Sequence, residues 1–330
     1  MPIRWGILGA GRIAHKFVQD LLTLPGITTG EVELYAVAST SAERAAEFAA
    51  QYAIPHQFST YDGLLSLPDL DVVYIATPHV QHHENALMCL HGGIAVLGEK
   101  PFAMNLAQVR DMVDTARSRK VFLMEALWSR FMPGIVSALE LIESGAIGKV
   151  TSVKADFGFK APFLPERRLF NKALGGGALL DIGIYPLFLA YLVLGKPATL
   201  KASATFGTTG VDEQCGMVLT YPEGQLALLD STLIAQTETA AVIYGDNGYI
   251  KLHSRFQDTR SVTVKSGEEE PRTLTFDRNT FGYAYEAQHV VDCLRDGLTE
   301  SPVWSLEDSL NLMELLDAAR AEAGITYEYQ

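Results

Sequence analysis

Two stretches of this 330-residue chain carry side chains suited to proton and charge chemistry. In the first, Ile94-Ala95-Val96-Leu97 reads as a buried parallel strand that runs through Gly98 into Glu99-Lys100-Pro101. Pro101 has no N–H for a ladder, so the strand must stop there and Lys100 is held at its C-terminal edge. In a doubly wound sheet that edge is the ligand crevice, where an ammonium can polarise a substrate oxygen. A solvated loop lysine is the plain alternative. In the second stretch, Gly175-Gly176-Gly177-Ala178-Leu179-Leu180-Asp181-Ile182-Gly183-Ile184-Tyr185-Pro186, a helix would set Asp181 and Tyr185 one turn apart on one face. Pro186 disfavours helical geometry at Tyr185: a kinked helix keeps the pair together, whereas a helix starting at Pro186 separates it. A packed aromatic and a capping carboxylate are the plain readings of the same two residues.

The elements around Lys100 are those of a dinucleotide fold. A strand over Ile3 to Leu8 leads into Gly9-Ala10-Gly11-Arg12-Ile13-Ala14, and a helical pattern follows to Leu24. This is G-x-G-x-x-A: Gly9 permits the tight turn, Gly11 lets backbone approach a pyrophosphate, and Ala14 allows helix to pack on strand. The helix start at Arg12 and Ile13 then offers unpaired N–H groups to phosphate. After the second strand, Val32 to Ala38, comes Ser39-Thr40-Ser41-Ala42-Glu43-Arg44, with no acid at the strand end. Ser39 and Thr40 with Arg44 suit a 2′-phosphate that a carboxylate would repel, so NADP is expected over NAD. Ser39 or Ser41 also reads as the cap of the following helix, and both roles can coexist. A third strand, Asp71 to Ala76, ends in Thr77-Pro78-His79, which with His82 and Glu99 is expected to line the cofactor. No carboxylate or cysteine completes a metal site with His79, His82 and His83, so no metal is expected.

The net charge of −13 argues against nucleic acid and anionic membranes as partners. The composition, 48% hydrophobic and 20% charged, is that of a globular chain, and its length favours two domains, placed at 1–125 and 126–330. Cys89, Cys215 and Cys293 are far apart with no CxxC, no signal peptide is read at the start, and no eighteen apolar residues run uninterrupted, so a reducing cytoplasm is expected. Beyond residue 126 the pattern is hairpin-rich, with strand candidates from Val150 to Lys265, and predicts a large, mostly antiparallel sheet in an α+β domain. One face of such a sheet can cover its own helices while the other meets a partner, so a sheet-to-sheet homodimer is expected. Asp156, Arg167, Arg168 and Asn171 could orient a polyhydroxylated substrate, with Phe157 or Phe159 on its apolar face. The helices over Tyr283 to Leu294 and Leu306 to Ala323 read as structural.

With ILGAGRIA, ATPHVQHHENA, GEKPF, MEALWSRF and GGGALLDIGIYPL in this order, the whole chain resembles the glucose-fructose oxidoreductase and inositol dehydrogenase family. Within it, RWGILGAGRIA, MEALWSRF and GGGALLDIGIY look most like the NADP-dependent branch that oxidises D-xylose and trans-dihydrodiols. The resemblance implies a Rossmann domain followed by a domain with a large, mostly antiparallel sheet. It implies that Lys100 is catalytic, that Tyr185, where many members carry histidine, is the acid/base with Asp181 as its neighbour, that Trp128 lies by nicotinamide and substrate, and that His82 serves the coenzyme. The branch often has an arginine where this chain has Ser39-Thr40.

A free phenol has a pKa of about 10, so roughly one in a thousand is ionised at neutral pH. An ammonium within reach favours the phenolate, which is the reason to couple Lys100 to Tyr185. The expected reaction is oxidation of an aldopyranose to a lactone or of a cyclic trans-diol to a ketone. A sugar or keto-sugar reductase of the 1,5-anhydrofructose reductase type and a non-catalytic NADP-binding sensor are the alternatives.

Overall fold

Short aliphatic runs form the six parallel strands of the first sheet in the computed structural model, which describes residues 1–327. They are β1 (Ile3–Leu8), β2 (Val32–Ala38), β3 (His56–Phe58), β4 (Val72–Ile75), β5 (Ala95–Glu99) and β6 (Leu123–Ala126), in the order β3-β2-β1-β4-β5-β6. Every residue of β4, β5 and β6 is buried, which explains why these strands read as continuous apolar runs without alternation. Between strands lie α1 (Arg12–Leu21), α2 (Pro25–Thr29), α3 (Ala42–Tyr52), α4 (His82–His91) and α5 (Leu106–Arg119). The strand order reverses at β1, between β2 and β4, and the glycine turn leaves the C-terminal end of that strand, the place where such sheets bind ligands.

The second sheet follows α6 (Pro133–Glu143). Its eight strands are β7 (Val150–Gly158), β8 (Thr199–Phe206), β9 (Asp212–Thr220), β10 (Leu226–Thr232), β11 (Ala241–Gly245), β12 (Gly248–Leu252), β13 (Ser261–Ser266) and β14 (Arg272–Thr275). All neighbours are antiparallel except β7 and β10. Helix α7 (Ile184–Leu194) packs on β7 and β10. The stretch Lys172–Leu194 is apolar and long enough to cross a bilayer, but 78% of its most apolar window is buried inside the protein, as in a core helix. The strand candidates from Val150 onward are present within a few residues of their predicted bounds; β14 was missed because Arg272–Thr275 offers no apolar alternation.

The chain divides into two units of two segments each, Met1–Trp128 with Arg278–Leu310, and Ser129–Asp277 with Asn311–Gln330. A single boundary at 125/126 therefore misplaces 278–310. The reason lies in polar ties that no periodicity reveals. Asp20 of α1 accepts from the backbone N–H groups of Phe281, Gly282, Tyr283 and Ala284 at 2.7–3.2 Å, capping α8 (Tyr283–Arg295). Leu123 N–H donates to the Thr299 carbonyl and Trp304 Nε1 to Glu125, at 3.2 and 3.3 Å. A last helix, α9, runs Leu306–Ala323.

Candidate active site

Within the first unit, Gly9 adopts φ +100°, and a Cβ there would meet the Ala76 carbonyl at 3.0 Å. Only glycine fits both the left-handed backbone and that approach. Gly11 precedes α1 without a side-chain cap, and no acidic residue occupies the first turn, so the helix start is open to an anion. Ala14 is fully buried, as close packing of helix on strand requires. Arg12 is exposed and Ile13 half-buried beside this turn. The turn thus fits a dinucleotide pyrophosphate by the shape of its backbone.

At the end of β2, Ser39 is buried and its hydroxyl accepts from Ser41 N–H at 3.3 Å, while Ser41 caps α3 through Arg44 N–H. Capping therefore falls to Ser41, and the exposed Thr40 and Arg44 are left at the surface of the loop. Tyr61 joins them: burial pushes its phenol up, while a hydrogen bond with Thr40 and the Arg44 charge act in the opposite direction. Sequence reasoning missed Tyr61, which sits in a short helical turn with no motif to mark it.

Glu99 and His82 are placed by the sequence among cofactor contacts, yet both are buried, and their resolved partners belong to the protein itself. Glu99 accepts a short hydrogen bond from the Tyr74 hydroxyl and another from Lys100 N–H at 3.1 Å. His82 places Nδ1 2.8 Å from the Pro101 carbonyl and Nε2 2.9 Å from the Thr77 carbonyl. Both acceptors are met at once only by a ring with two N–H groups. Glu125 accepts from Phe102 N–H at 3.1 Å, and burial pushes its carboxyl up to about 7. The segment 100–102 is thereby held at three consecutive residues, and Lys100 is aimed by its backbone. His79 is buried, its ring edge-on to His82 at 5.7 Å, and Pro78 is half-buried. Thr77 receives a bond from Asn85 at 3.1 Å. His83 instead meets Asp111 at 2.8 Å on the surface. Among the described residues no group of His, Cys, Asp or Glu is placed to hold a metal ion. Trp128 is buried and packs 4.9 Å from Tyr283, which gives α8 a residue beside one of the candidate site residues.

In the second unit, Asp181 and Tyr185 share one continuous helical run. A π-type turn over Leu179–Gly183 passes directly into α7, so Pro186 is accommodated and the pair stays together. The irregular turn absorbs the hydrogen bond that proline cannot make. Tyr185 is 6% exposed and its ring lies 5.5 Å from Phe157. Asp181 pairs with Arg168, whose Nη2 lies 3.4 Å from Oδ2 while Nη1 makes a shorter contact with Oδ1. Phe157, Phe159 and Leu169 pack against a buried cluster that includes Phe170, Ile182 and Leu233, an apolar wall beside the phenol.

The triple glycine has a steric cause. A Cβ on Gly176 would lie 2.6–2.9 Å from the carbonyls of Arg168, Leu169 and Asn171, and one on Gly177 (φ +128°) 2.1 Å from Asp212 Oδ1. The loop bearing Arg168 thus folds against the start of the Asp181 helix only because side chains are absent there. Asp212, missed by sequence reasoning, accepts from Leu179 N–H at 2.7 Å, and burial pushes its carboxyl up to about 7. Asp156 is bound to Thr239 and Ala240 N–H and faces an open groove on the sheet. Asn171 caps a turn at Ala173, and Arg167 is exposed beside Glu166. Each of the three has a partner within the protein.

Comparison with known proteins agrees with this fold. Residues 3–127 match an oxidoreductase family with an NAD-binding Rossmann fold, and residues 135–251 match the GFO/IDH/MocA C-terminal domain. The chain is 39% identical over 335 residues to trans-1,2-dihydrobenzene-1,2-diol dehydrogenase of Xenopus tropicalis, covering 99% of this chain and 100% of the relative. It is 37% identical to the protein of that name from Homo sapiens, covering 99% and 98%. A solved 3-ketoreductase from Actinomadura kijaniata, in complex with NADP and TDP-benzene, superposes with a TM-score of 0.86 at 27% identity, covering 98% of each chain.

Proposed function

This chain belongs to the GFO/IDH/MocA family of Rossmann-fold oxidoreductases, and from that premise we propose that it oxidises a ring hydroxyl of a sugar or cyclic trans-diol, with NADP preferred over NAD. It is an NAD(P)-dependent dehydrogenase. The observation that carries the substrate reading is the Asp181–Tyr185 pair: a phenol against an aromatic wall, one turn from a carboxylate that binds Arg168. Such a surface offers an apolar face to a ring and polar groups to its hydroxyls.

A bound NADP would supply the hydride acceptor, its pyrophosphate held by the Gly9–Ile13 turn. Tyr185 takes the hydroxyl proton at Oη in oxidation and returns it in reduction. Lys100 provides the positive charge that makes the phenolate accessible near neutral pH. Asp181 and Arg168, paired with each other, orient the remaining hydroxyls. Ser39, Thr40 and Arg44 would hold the 2′-phosphate, and a basic group there would favour NADP. The reductase reading uses the same residues in reverse, and the 3-ketoreductase neighbour favours keeping it.

We further propose a homodimer through the open face of the second sheet, and a reducing cytoplasm as its location, with which three free, buried cysteines are consistent. The deciding experiment is a panel of pentoses, hexoses, inositols and cyclic trans-diols assayed for NADPH formation with wild type and Tyr185→Phe. The wild type should turn over a sugar or diol, and the variant should lose about 10²-fold or more in kcat while binding NADPH as before. Equal turnover by the two proteins would remove Tyr185 from the mechanism.

A further inference from the structure

Helix α8 carries a side chain that the reaction above does not use. Glu286, in its first turn, is 0% exposed, and neither carboxyl oxygen has a hydrogen-bond partner among the described residues. Such a group is costly as an anion. The positive end of α8 cannot relieve it, because Asp20 of α1 already accepts from the first N–H groups there. The groups coupled to it electrostatically are Asp20 from α1, Tyr74 from β4 and Glu99 from β5. Tyr283, one turn earlier on α8, also acts on Tyr74, and Glu125 from β6 feels Glu99. On α1, Lys16 lies over the Phe281 ring at 5.4 Å.

Glu99 is the member of this group in contact with the candidate site. Its two oxygens divide their work: Oε1 receives the Tyr74 hydroxyl and Oε2 receives Lys100 N–H. Tyr74 stacks at 3.7 Å on Phe17 of α1, the helix whose Asp20 caps α8, so a charge on Glu286 would act on the bond from the Tyr74 hydroxyl to Glu99. Two buried like charges in one site cannot both ionise without large cost.

We propose that Glu286 and Glu99 act as a carboxylic acid–carboxylate pair, with the proton on Glu286 and the charge on Glu99, and that Glu286 is thereby a positioning residue for Lys100. While Glu286 stays neutral, the Tyr74 hydroxyl belongs to Glu99, and Glu99 holds the Lys100 backbone. When Glu286 loses its proton at alkaline pH, the added charge strains the Tyr74–Glu99 bond and the hold on Lys100 N–H weakens. Burial, with Glu99 and Asp20 nearby, raises the Glu286 carboxyl well above the ordinary range, so the acid form persists at neutral pH.

The proposal rests on the reading of Lys100 as a group of the reaction, and two measurements on the full-length chain separate the two. Infrared difference spectra of wild type against Glu286→Gln at neutral pH should show a carboxylic-acid carbonyl band lost in the variant, whether or not a substrate is known. A carboxylate band lost instead would overturn the acid form. With a substrate in hand, the alkaline limb of kcat should move up by about one pH unit or more in Glu286→Gln, since the variant has no second carboxylate to form. Superimposable limbs would overturn the link to Lys100. Tyr74→Phe provides a second variant: kcat should fall about tenfold with the Kd for NADPH unchanged, and an unaltered kcat would count against the proposal in the same way. Absence of turnover by wild type on every substrate would fault the functional reading alone, with the infrared result still standing.

Discussion

Arg44 is the side chain on which the proposed preference for NADP turns. It is exposed in the first turn of α3, next to Thr40 and Tyr61, and a guanidinium there meets a 2′-phosphate with charge-assisted hydrogen bonds. Arg44→Ala should raise the Kd for NADPH about tenfold or more and leave that for NADH nearly unchanged; fluorescence titration of the two cofactors measures it. Equal losses for both would point to a damaged α3. At the residue scale, the expected turn conformation at Gly9 and the single helical run bearing Asp181 and Tyr185 are both present. Sequence reasoning assigned Glu99 and His82 to the cofactor, whereas the resolved partners of both are protein groups. The strand-end position was legible; the direction of the side chain depends on Tyr74 and Pro101, which come from other parts of the sequence.

At the scale of elements, the helix bearing Tyr185 depends on a carboxylate from another strand. Asp212 at the start of β9 accepts from Leu179 N–H, and its carboxyl is raised from 3.8 to about 7 by burial. A raised carboxyl binds its proton more tightly in the folded chain than in the unfolded one. Its contribution to stability is therefore full below about pH 3.8 and is lost as pH rises through about 7. Asp212→Asn keeps an acceptor for Leu179 N–H and removes the charge. In this variant the fall in melting temperature between pH 5.5 and pH 8 should shrink by about 3–5 °C relative to wild type, read by calorimetry at matched ionic strength. An unchanged slope would mean that Asp212 does not titrate there. The π-type turn over Leu179–Gly183 shows the same dependence: Pro186 announced an irregularity, but its form was set by packing against β7 and β10.

At the scale of the whole molecule, the open face of the second sheet is the surface on which the proposed assembly rests. On β9, buried Cys215, Met217 and Leu219 alternate with exposed Gly216, Val218 and Thr220. Val218 and Leu228 are 41% and 39% exposed, and they line a groove of about 480 Å³ with Lys154, Asp156, Tyr244 and Lys251. Apolar residues ringed by charge suit a second copy of the same face. Wild type should sediment as a dimer at micromolar concentration, and Val218→Glu with Leu228→Glu should yield a folded monomer. A wild-type monomer would overturn the assembly proposal and leave the chemistry untouched.

The sequence by itself determined what is local or periodic. The glycine turn, the buried parallel strands, the switch to hairpins after residue 126, and the two stretches holding Lys100 and Asp181–Tyr185 are all written in neighbouring residues, because strand and helix periods and glycine's positive φ act over a few positions. Only the tertiary structure decided that 278–310 returns to the first unit, that Asp20 caps α8, that Glu286 lies buried with no hydrogen-bond partner among the described residues, and that Asp212 supports the Tyr185 helix. These are contacts between polar groups distant along the chain. A buried carboxylate is read from the sequence as a surface residue until packing removes its water and supplies, or withholds, its partner.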